Sequence, residues 1–224
     1  MCVLLLALLP GCRQHNTSNA FGEADQSIYL FRDLALEDIV LSDFDTSKYD
    51  ADEFKGFLAE DIEKYNASHP FVKPEDVPLL EGETTFEPEI TKPINIEKCA
   101  ASNNRLDQRL VYANADDYMN YNEEEIAKRG GTHVYTGTLA MVDSSILTTT
   151  YVDTKGKEVN ISELCVKEDA SSYRYIALDF AATVYGDGYI VAYSDGGTYS
   201  DAGNCVTVPG NGREVVVIYK SEGK

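Results

Sequence analysis

Beyond Gly130-Gly131 the chain is cut into short β-forming runs by turn residues, and this pattern restricts its fold more than any other feature. The runs are His133 to Val142, Ile146 to Val152, Lys157 to Ile161, Tyr173 to Val184, Tyr189 to Tyr193, Asn204 to Val208 and Glu214 to Tyr219. They are rich in Val, Ile, Thr and Tyr, which suit a pleated, half-buried surface. Between them stand Asp153-Thr154-Lys155-Gly156, Gly186-Asp187-Gly188, Asp195-Gly196-Gly197 and Pro209-Gly210-Asn211-Gly212. Gly supplies positive φ in such turns, and Asp and Asn bond their own backbone. Consecutive strands joined this closely predict antiparallel pairing, because a parallel crossover needs a dozen residues or more. Only Ile161 to Val166 reads as a helical turn in this half.

The preceding part carries helices. Ser27 to Arg32 and Ala35 to Leu41 read as short strands, and a helix then follows Asp50. Asp50 is placed to cap it, with Glu53 three residues on as an acidic capping box. Phe54, Phe57, Leu58, Ile62 and Tyr65 recur at helical spacing, so Phe57 and Leu58 are expected at the centre of a buried stripe. That helix is expected to end near Asn66. Pro70 to Pro93 holds five of the seven prolines and reads as an irregular connection. Ile94 to Cys99 and Leu106 to Ala113 are strand candidates. A second helix is expected from Asn114, with Asp116 and Asp117 in its first turn, Lys128 and Arg129 at its end, and Gly130-Gly131 as its stop. The predicted fold class is α+β: an N-terminal helix-bearing part packed on strands, then a C-terminal antiparallel, β-rich, sandwich-like part. A doubly wound βαβ fold is disfavoured, because helices are few and the strands come in runs.

The first residues, Met1-Cys2-Val3-Leu4-Leu5-Leu6-Ala7-Leu8-Leu9-Pro10-Gly11-Cys12, form an apolar run closing on a small residue and a cysteine. Leu9-Pro10-Gly11-Cys12 is similar to the bacterial lipobox, with Pro10 unusual inside that motif and no basic segment ahead of it. The run is too short to span a hydrocarbon core of ~30 Å as a helix. The expectation is a signal peptide over 1–11, lipid attachment (palmitate-type chains) at Cys12, a polar tether over 12–26, an α+β region with two helices over 27–130, and a β-rich region over 131–224. A lipid-anchored body facing out of the cytoplasm follows, with the membrane as partner through its anchor; a buried N-terminal segment of a cytosolic protein is the alternative. The formal charge of −19 argues against nucleic acid, since phosphate contacts need a basic patch. The acid is concentrated early, with 20 acids against 7 bases between Glu23 and Lys98. Cys99, Cys165 and Cys205 fit no metal spacing and read as small buried hydrophobes, with a Cys165–Cys205 bridge as the minor alternative.

Three further elements carry a family likeness. Phe44-Asp45-Thr46-Ser47-Lys48-Tyr49-Asp50-Ala51-Asp52-Glu53-Phe54 leads to Ile62-Glu63-Lys64-Tyr65-Asn66; Ala115-Asp116-Asp117-Tyr118-Met119-Asn120-Tyr121-Asn122 follows; and Gly188 to Ser194 with Val215 to Lys220 closes the chain. With the signal peptide, these resemble a group of uncharacterised lipoproteins of gut clostridia. The segment Ser68 to Lys92 departs from the shorter connection expected of that group. The resemblance implies an envelope location and no particular activity, so it transfers no functional residue.

Motifs that carry chemistry are missing. There is no G-x-S-x-G elbow, no H-E-x-x-H, no phosphate-cradling Gly loop with its lysine and no EF-hand loop, where Lys155 stands at a ligand position. A Ser-His-Asp set would have to draw on His69 or His133, since His15 lies in the tether. Asp187, Asp195 and Asp201 sit in Gly-rich turns, where Asp is favoured as a turn former before it is a calcium ligand. No catalytic, cofactor-binding or metal residue is assigned. The expected function is a non-catalytic binding or structural surface module taking a protein, peptide or glycan ligand. The alternative is a carboxylate-based extracellular hydrolase acting on glycan or peptide. An exposed Tyr-rich patch or unpaired sheet edge would favour the first, and a buried carboxylate pair in a cleft the second.

Overall fold

A computed structural model describes residues 26–221, apart from 75, 76, 78, 80–83, 89, 143 and 148. It is an α+β fold with two mostly antiparallel sheets. In chain order the elements are β1 (Gln26–Leu30), β2 (Leu36–Asp43), α1 (Ala51–Ser68), β3 (Ile94–Ser102), β4 (Arg105–Tyr112), α2 (Ala115–Lys128), β5 (Val134–Thr138), β6 (Tyr151–Val152), β7 (Glu158–Val159), α3 (Ile161–Cys165), β8 (Tyr173–Leu178), β9 (Ala181–Gly186), β10 (Tyr189–Ser194), β11 (Thr198–Ser200), β12 (Cys205–Pro209) and β13 (Val215–Lys220). Sheet A runs β11-β12-β9-β1-β2-β4-β3, and sheet B runs β5-β8-β13-β10-β6-β7. The one parallel pairing sets β1 against β9, with Ser27 opposite Thr183 and Leu30 opposite Gly186. Sheet A therefore combines strands from both halves of the sequence.

The period-2 alternation of β13 shows how the layers form. Val215, Val217 and Tyr219 enter the main core with Ile28, Leu36, Leu110, Val184 and Val206 of sheet A. Val216 and Ile218 face the opposite side, under Leu139, Ile146, Ile161 and Leu164. Sheet B is thus apolar on both faces: one meets sheet A and the helices, and the other is covered by α3 and the short helical turns before β6.

The first helix starts where the sequence places its cap. Asp50 accepts from the Asp52 and Glu53 amides at 2.8 and 3.2 Å. The helix ends at Ser68, two residues past Asn66, whose amide instead bonds both main-chain groups of Ile94 (2.9 and 3.0 Å) and ties α1 to the start of β3. Phe54, Leu58 and Ile62 are buried, but Phe57 is 47% exposed, which corrects its expected place in the stripe. The 54/58/62 spacing of four defines the contact with sheet A, and a residue one step before Leu58 is turned about 100° away from it. In α2, Asn114 caps the Asp117 amide at 2.8 Å. The helices exchange hydroxyls crosswise: Tyr65 donates to Asp117 (3.1 Å) and Tyr121 to Asp61 (3.0 Å).

Two strand expectations are corrected. Ile146 to Val152 is a helical turn, Ser144–Leu147, followed by the two-residue β6. Tyr173 to Val184 is two strands in different sheets, β8 and β9, with Asp179 and Phe180 at the crossover. Truncation of the buried position in α1, Leu58→Ala, is expected to cost about 2–5 kcal/mol. Phe57→Ala is expected to stay within about 0.5–1 kcal/mol of the parent. Urea melts of both variants check the assignment; equal losses would contradict it.

Candidate functional site

The described surface carries a cleft of about 470 Å³ at the end of the two sheets. Arg32, Asp33 and Leu34 after β1 form one wall, and Val72 to Pro74 with Val77 form another. Ala113 to Asp116 bring the start of α2, while Tyr135, Thr136, Thr138 and Arg174 bring sheet B. Its apolar lining comes from Leu34, Val72, Pro74, Val77 and Tyr135. A second, shallower depression shares Lys73, Pro74 and Val77 and continues over Leu79 and Phe86. The guanidinium of Arg32 lies over the Phe86 ring at 5.1 Å, joining the two.

β5 is an edge strand of sheet B, and its outward groups follow from two observations. The Val134 amide donates to Met119 Sδ at 3.0 Å, so it points away from β8. The Val216 amide donates to Ser194 Oγ of β10, so Val215, Val217 and Tyr219 are the β13 residues that turn to β8. Residues alternate along an antiparallel pair, so Arg174, Ile176 and Leu178 bond β13 while Tyr175 and Ala177 bond Gly137 and Tyr135 of β5. Thr136 and Thr138 therefore turn their N–H and C=O groups outward on the cleft side. Among the described residues no hydrogen bond outside the ladder engages them.

Arg174 stands opposite Thr138 and is 1% exposed. Its Nε donates to the Arg32 carbonyl at 2.7 Å and its Nη1 to the Ser171 carbonyl. Among the described residues no carboxylate is in direct contact with it, although Asp33 and Asp187 act on it from farther away. Burial lowers the pKa of this guanidinium, with Arg32 adding to the effect and Tyr219, Asp33 and Asp187 opposing it. A buried cation held directly by two carbonyls, with carboxylates acting on it only from a distance, is costly, and an anion arriving in the cleft would offset that cost.

A second polar cluster lies inside the core. Gln26 donates to Asp38, and the same amide reaches the Tyr118 hydroxyl at 3.1 Å. Arg129 pairs with Glu125 at 3.3 Å. Burial pushes the Asp38 carboxyl up to about 6, with Arg129 and Gln26 opposing the rise. Asp38 and Glu125 are only 5% and 6% exposed and do not line the cleft.

The residues singled out from the sequence fall elsewhere. His69 caps the end of α1, stacked on Tyr65 at 3.9 Å. His133 lies between Glu214 (Nε2, 2.8 Å) and Asp179 (Nδ1, 3.4 Å). Asp179 accepts the Thr132 amide and hydroxyl at 2.8 and 2.7 Å and the His133 amide at 3.2 Å. Burial would raise this carboxyl, but those hydrogen bonds outweigh it and hold it below the ordinary range. The Thr132 hydroxyl is thereby committed to Asp179, so the group is a main-chain clasp. Asp195 pairs with Arg213 at 2.8 Å, and among the described residues no three His, Cys, Asp or Glu side chains converge as metal ligands. Cys99, Cys165 and Cys205 are free thiols, so Cys165 and Cys205 do not pair. Of the tether expected over 12–26, Cys12 and the rest through 25 lie outside the described residues, while Gln26 is corrected to a buried residue of β1. No helix among the described residues is long and apolar enough to cross a membrane. Arg32, Lys73 and Arg174 escaped the sequence reading because they are 142 positions apart end to end and belong to no motif. No family model, curated protein or solved structure matches the chain.

The core cluster makes a pH prediction. An Asp whose folded pKa is raised from 3.8 to about 6 favours the protonated state in the fold. The fold carries no penalty from it below pH ~4 and loses stability as pH rises to ~6. Asp38→Asn, which keeps an acceptor for Gln26, is expected to be more stable than the parent at pH 7–8 by on the order of 1–3 kcal/mol, the gain shrinking toward pH 4. Denaturant titrations at pH 4, 5, 6 and 7.5 measure it, and a pH-independent difference would contradict the assignment.

Proposed function

We propose that this chain is a lipid-anchored extracytoplasmic binding module that holds a ligand by contact alone in the cleft beside β5. The observation that carries the reading is the combination of an open strand edge at Thr136 and Thr138 with the buried Arg174, which no carboxylate among the described residues contacts directly. Both are groups of one site lacking a partner of the kind they need. Apolar walls on either side supply area, as ligand sites generally do. The Gly11-Cys12 motif supports attachment at Cys12, and residues 12–25 provide length between lipid and body.

The second reading, a carboxylate-based hydrolase, draws support from the raised Asp38 carboxyl. Such a group suits a general acid. Against it, Asp38 and Glu125 are enclosed beneath sheet A. Among the described residues the carboxylates that line the cleft are Asp33, which accepts the Ala35 amide at 3.2 Å, and Asp116, in the first turn of α2.

Two measurements test the proposal. Cys12→Ser is expected to abolish acylation and release the protein from the detergent phase; an unmodified Cys12 peptide from the parent, by mass spectrometry, would refute the anchor. The mature chain, 12–224, is expected to show no turnover on panels of peptides, glycans and esters. Turnover that survives replacement of His69 and His133 but vanishes on Asp38→Asn would install the hydrolase instead.

A further inference from the structure

We infer that the ligand of this cleft is an extended peptide that adds to sheet B as a strand beside β5 and places an acidic side chain against Arg174. The inference rests on the reading of the cleft as a binding site and specifies what it binds.

The edge supplies the first half of the argument. Thr136 and Thr138 offer two outward N–H and two outward C=O groups, two residues apart. An added strand meets that spacing with its own alternate residues, whereas a compact small molecule does not. Toward the start of β5 the edge is closed, because Met119 already takes the Val134 amide. Added pairing is therefore confined to the stretch beside the cleft. Edge strands are ordinarily blunted by charge, proline or cover. This one presents Thr136, Gly137 and Thr138, none of which obstructs a neighbour.

Charge supplies the second half. In a chain of net charge −19, the described lining of the cleft brings three cations, Arg32, Lys73 and Arg174, together with Asp33 and Asp116. Arg174 shares its face of β8 with Ile176 and Leu178, the inner face, and stands opposite Thr138. A residue of the added strand that reaches Arg174 must turn inward beside Thr138. The residue two positions along then turns inward beside Thr136, toward Leu34 and Ala113 to Ala115. The site thus selects an acidic residue and an apolar residue two positions apart. Arg–carboxylate contacts in a buried setting are directional and strong, so the acid sets specificity while the main chain supplies affinity.

The test uses the mature chain, 12–224, and end-blocked six-residue peptides carrying Leu and Glu two positions apart. Amide NMR spectra locate binding and titration calorimetry measures it. The expected result is perturbation of the Thr136 and Thr138 amides, at least tenfold weaker binding for the Glu→Gln peptide, and loss of the Glu preference in Arg174→Gln. N-methylation of alternate peptide amides is expected to abolish binding for one alternate set and spare the other. Because Arg174 is buried and its variant can fail to fold, the Glu→Gln and N-methyl peptides decide the matter with the parent protein. Equal affinity for Glu and Gln peptides, or indifference to both N-methyl sets, overturns the inference. Acetate or phosphate perturbing the cleft when no peptide does overturns it while leaving the binding-site reading in place. A cleft that responds to neither overturns both.

Discussion

The fold depends on the passage of the chain from sheet B to sheet A at Asp179 and Phe180. β8 ends at Leu178 and β9 begins at Ala181, so two residues carry the chain between layers. Asp179 holds this corner by accepting two amides and a hydroxyl from Thr132 and His133, the residues leading into β5. The corner is tight on both sides. A Cβ on Gly131 would lie 2.6 Å from Phe180 Cβ, and one on Gly210 would lie 2.3 Å from the Ala181 amide nitrogen. No side chain fits at either place. Phe180 meanwhile fills the main core and stacks near Tyr118 of α2 at 6.3 Å. Once β9 is placed in sheet A, its edge accepts β1 in parallel, and the N-terminal strand acquires a neighbour more than 150 positions away. Such pairing closes only after a large loop entropy has been offset, so sheet A is a late, non-local product of folding.

The same corner creates the cleft. By fixing the entry to β5, Asp179 sets that strand at the rim of sheet B, with its far end at Thr138 opposite Arg174. By admitting β1 next to β9, it brings the turn after β1 to the same rim, where the Arg32 carbonyl receives Arg174 Nε. The start of α2 completes the wall, since α2 packs against β5 through Met119. The sheet-to-sheet connection therefore brings together four of the cleft's five stretches of chain, with Val72 to Val77 as the fifth.

What could be read in advance follows from which forces are local. The caps at Asp50 and Asn114, the α2 stop at Gly130-Gly131 and the turns at Asp153 and Asp195 act within a few residues, and each was legible. The corner was not, because Tyr173 to Val184 is apolar throughout and has no Gly or Pro to mark a break. A strand buried on both faces and two strands in different sheets give the same continuous apolar run. Gly131 was read as a helix stop, while its closer constraint is the approach of Phe180. Phe57 misled because an aromatic at helical spacing signals burial statistically, yet α1 contacts sheet A along a single line of every fourth residue. For the site, the sequence offered the prospect of an open edge but not its location, and Arg174 gave no signal, since its burial comes wholly from tertiary packing.

The two polar groups of the interior differ in a way that bears on their roles. In the cluster around Asp38, opposing charges meet inside the fold: Arg129 faces Glu125, and Gln26 bridges Asp38 to Tyr118. The charges compensate one another, and what remains is the burial cost of one carboxyl, which protonation relieves. Arg174 receives only the more distant influence of Asp33 and Asp187. A guanidinium does not discard its proton in the ordinary pH range, so lowering its pKa leaves it charged. Its main-chain carbonyl partners satisfy donors but bring no opposite charge. An acidic chain has many carboxylates to spare, yet none is paired with this cation among the described residues. The acids that act on it, Asp33 and Asp187, do so from a distance, and Asp33 also accepts the Ala35 amide. On the proposed reading, a carboxylate entering the cleft would add the direct contact that Asp33 and Asp187 do not make with Arg174, and an extended chain beside Thr136 and Thr138 would hold it there.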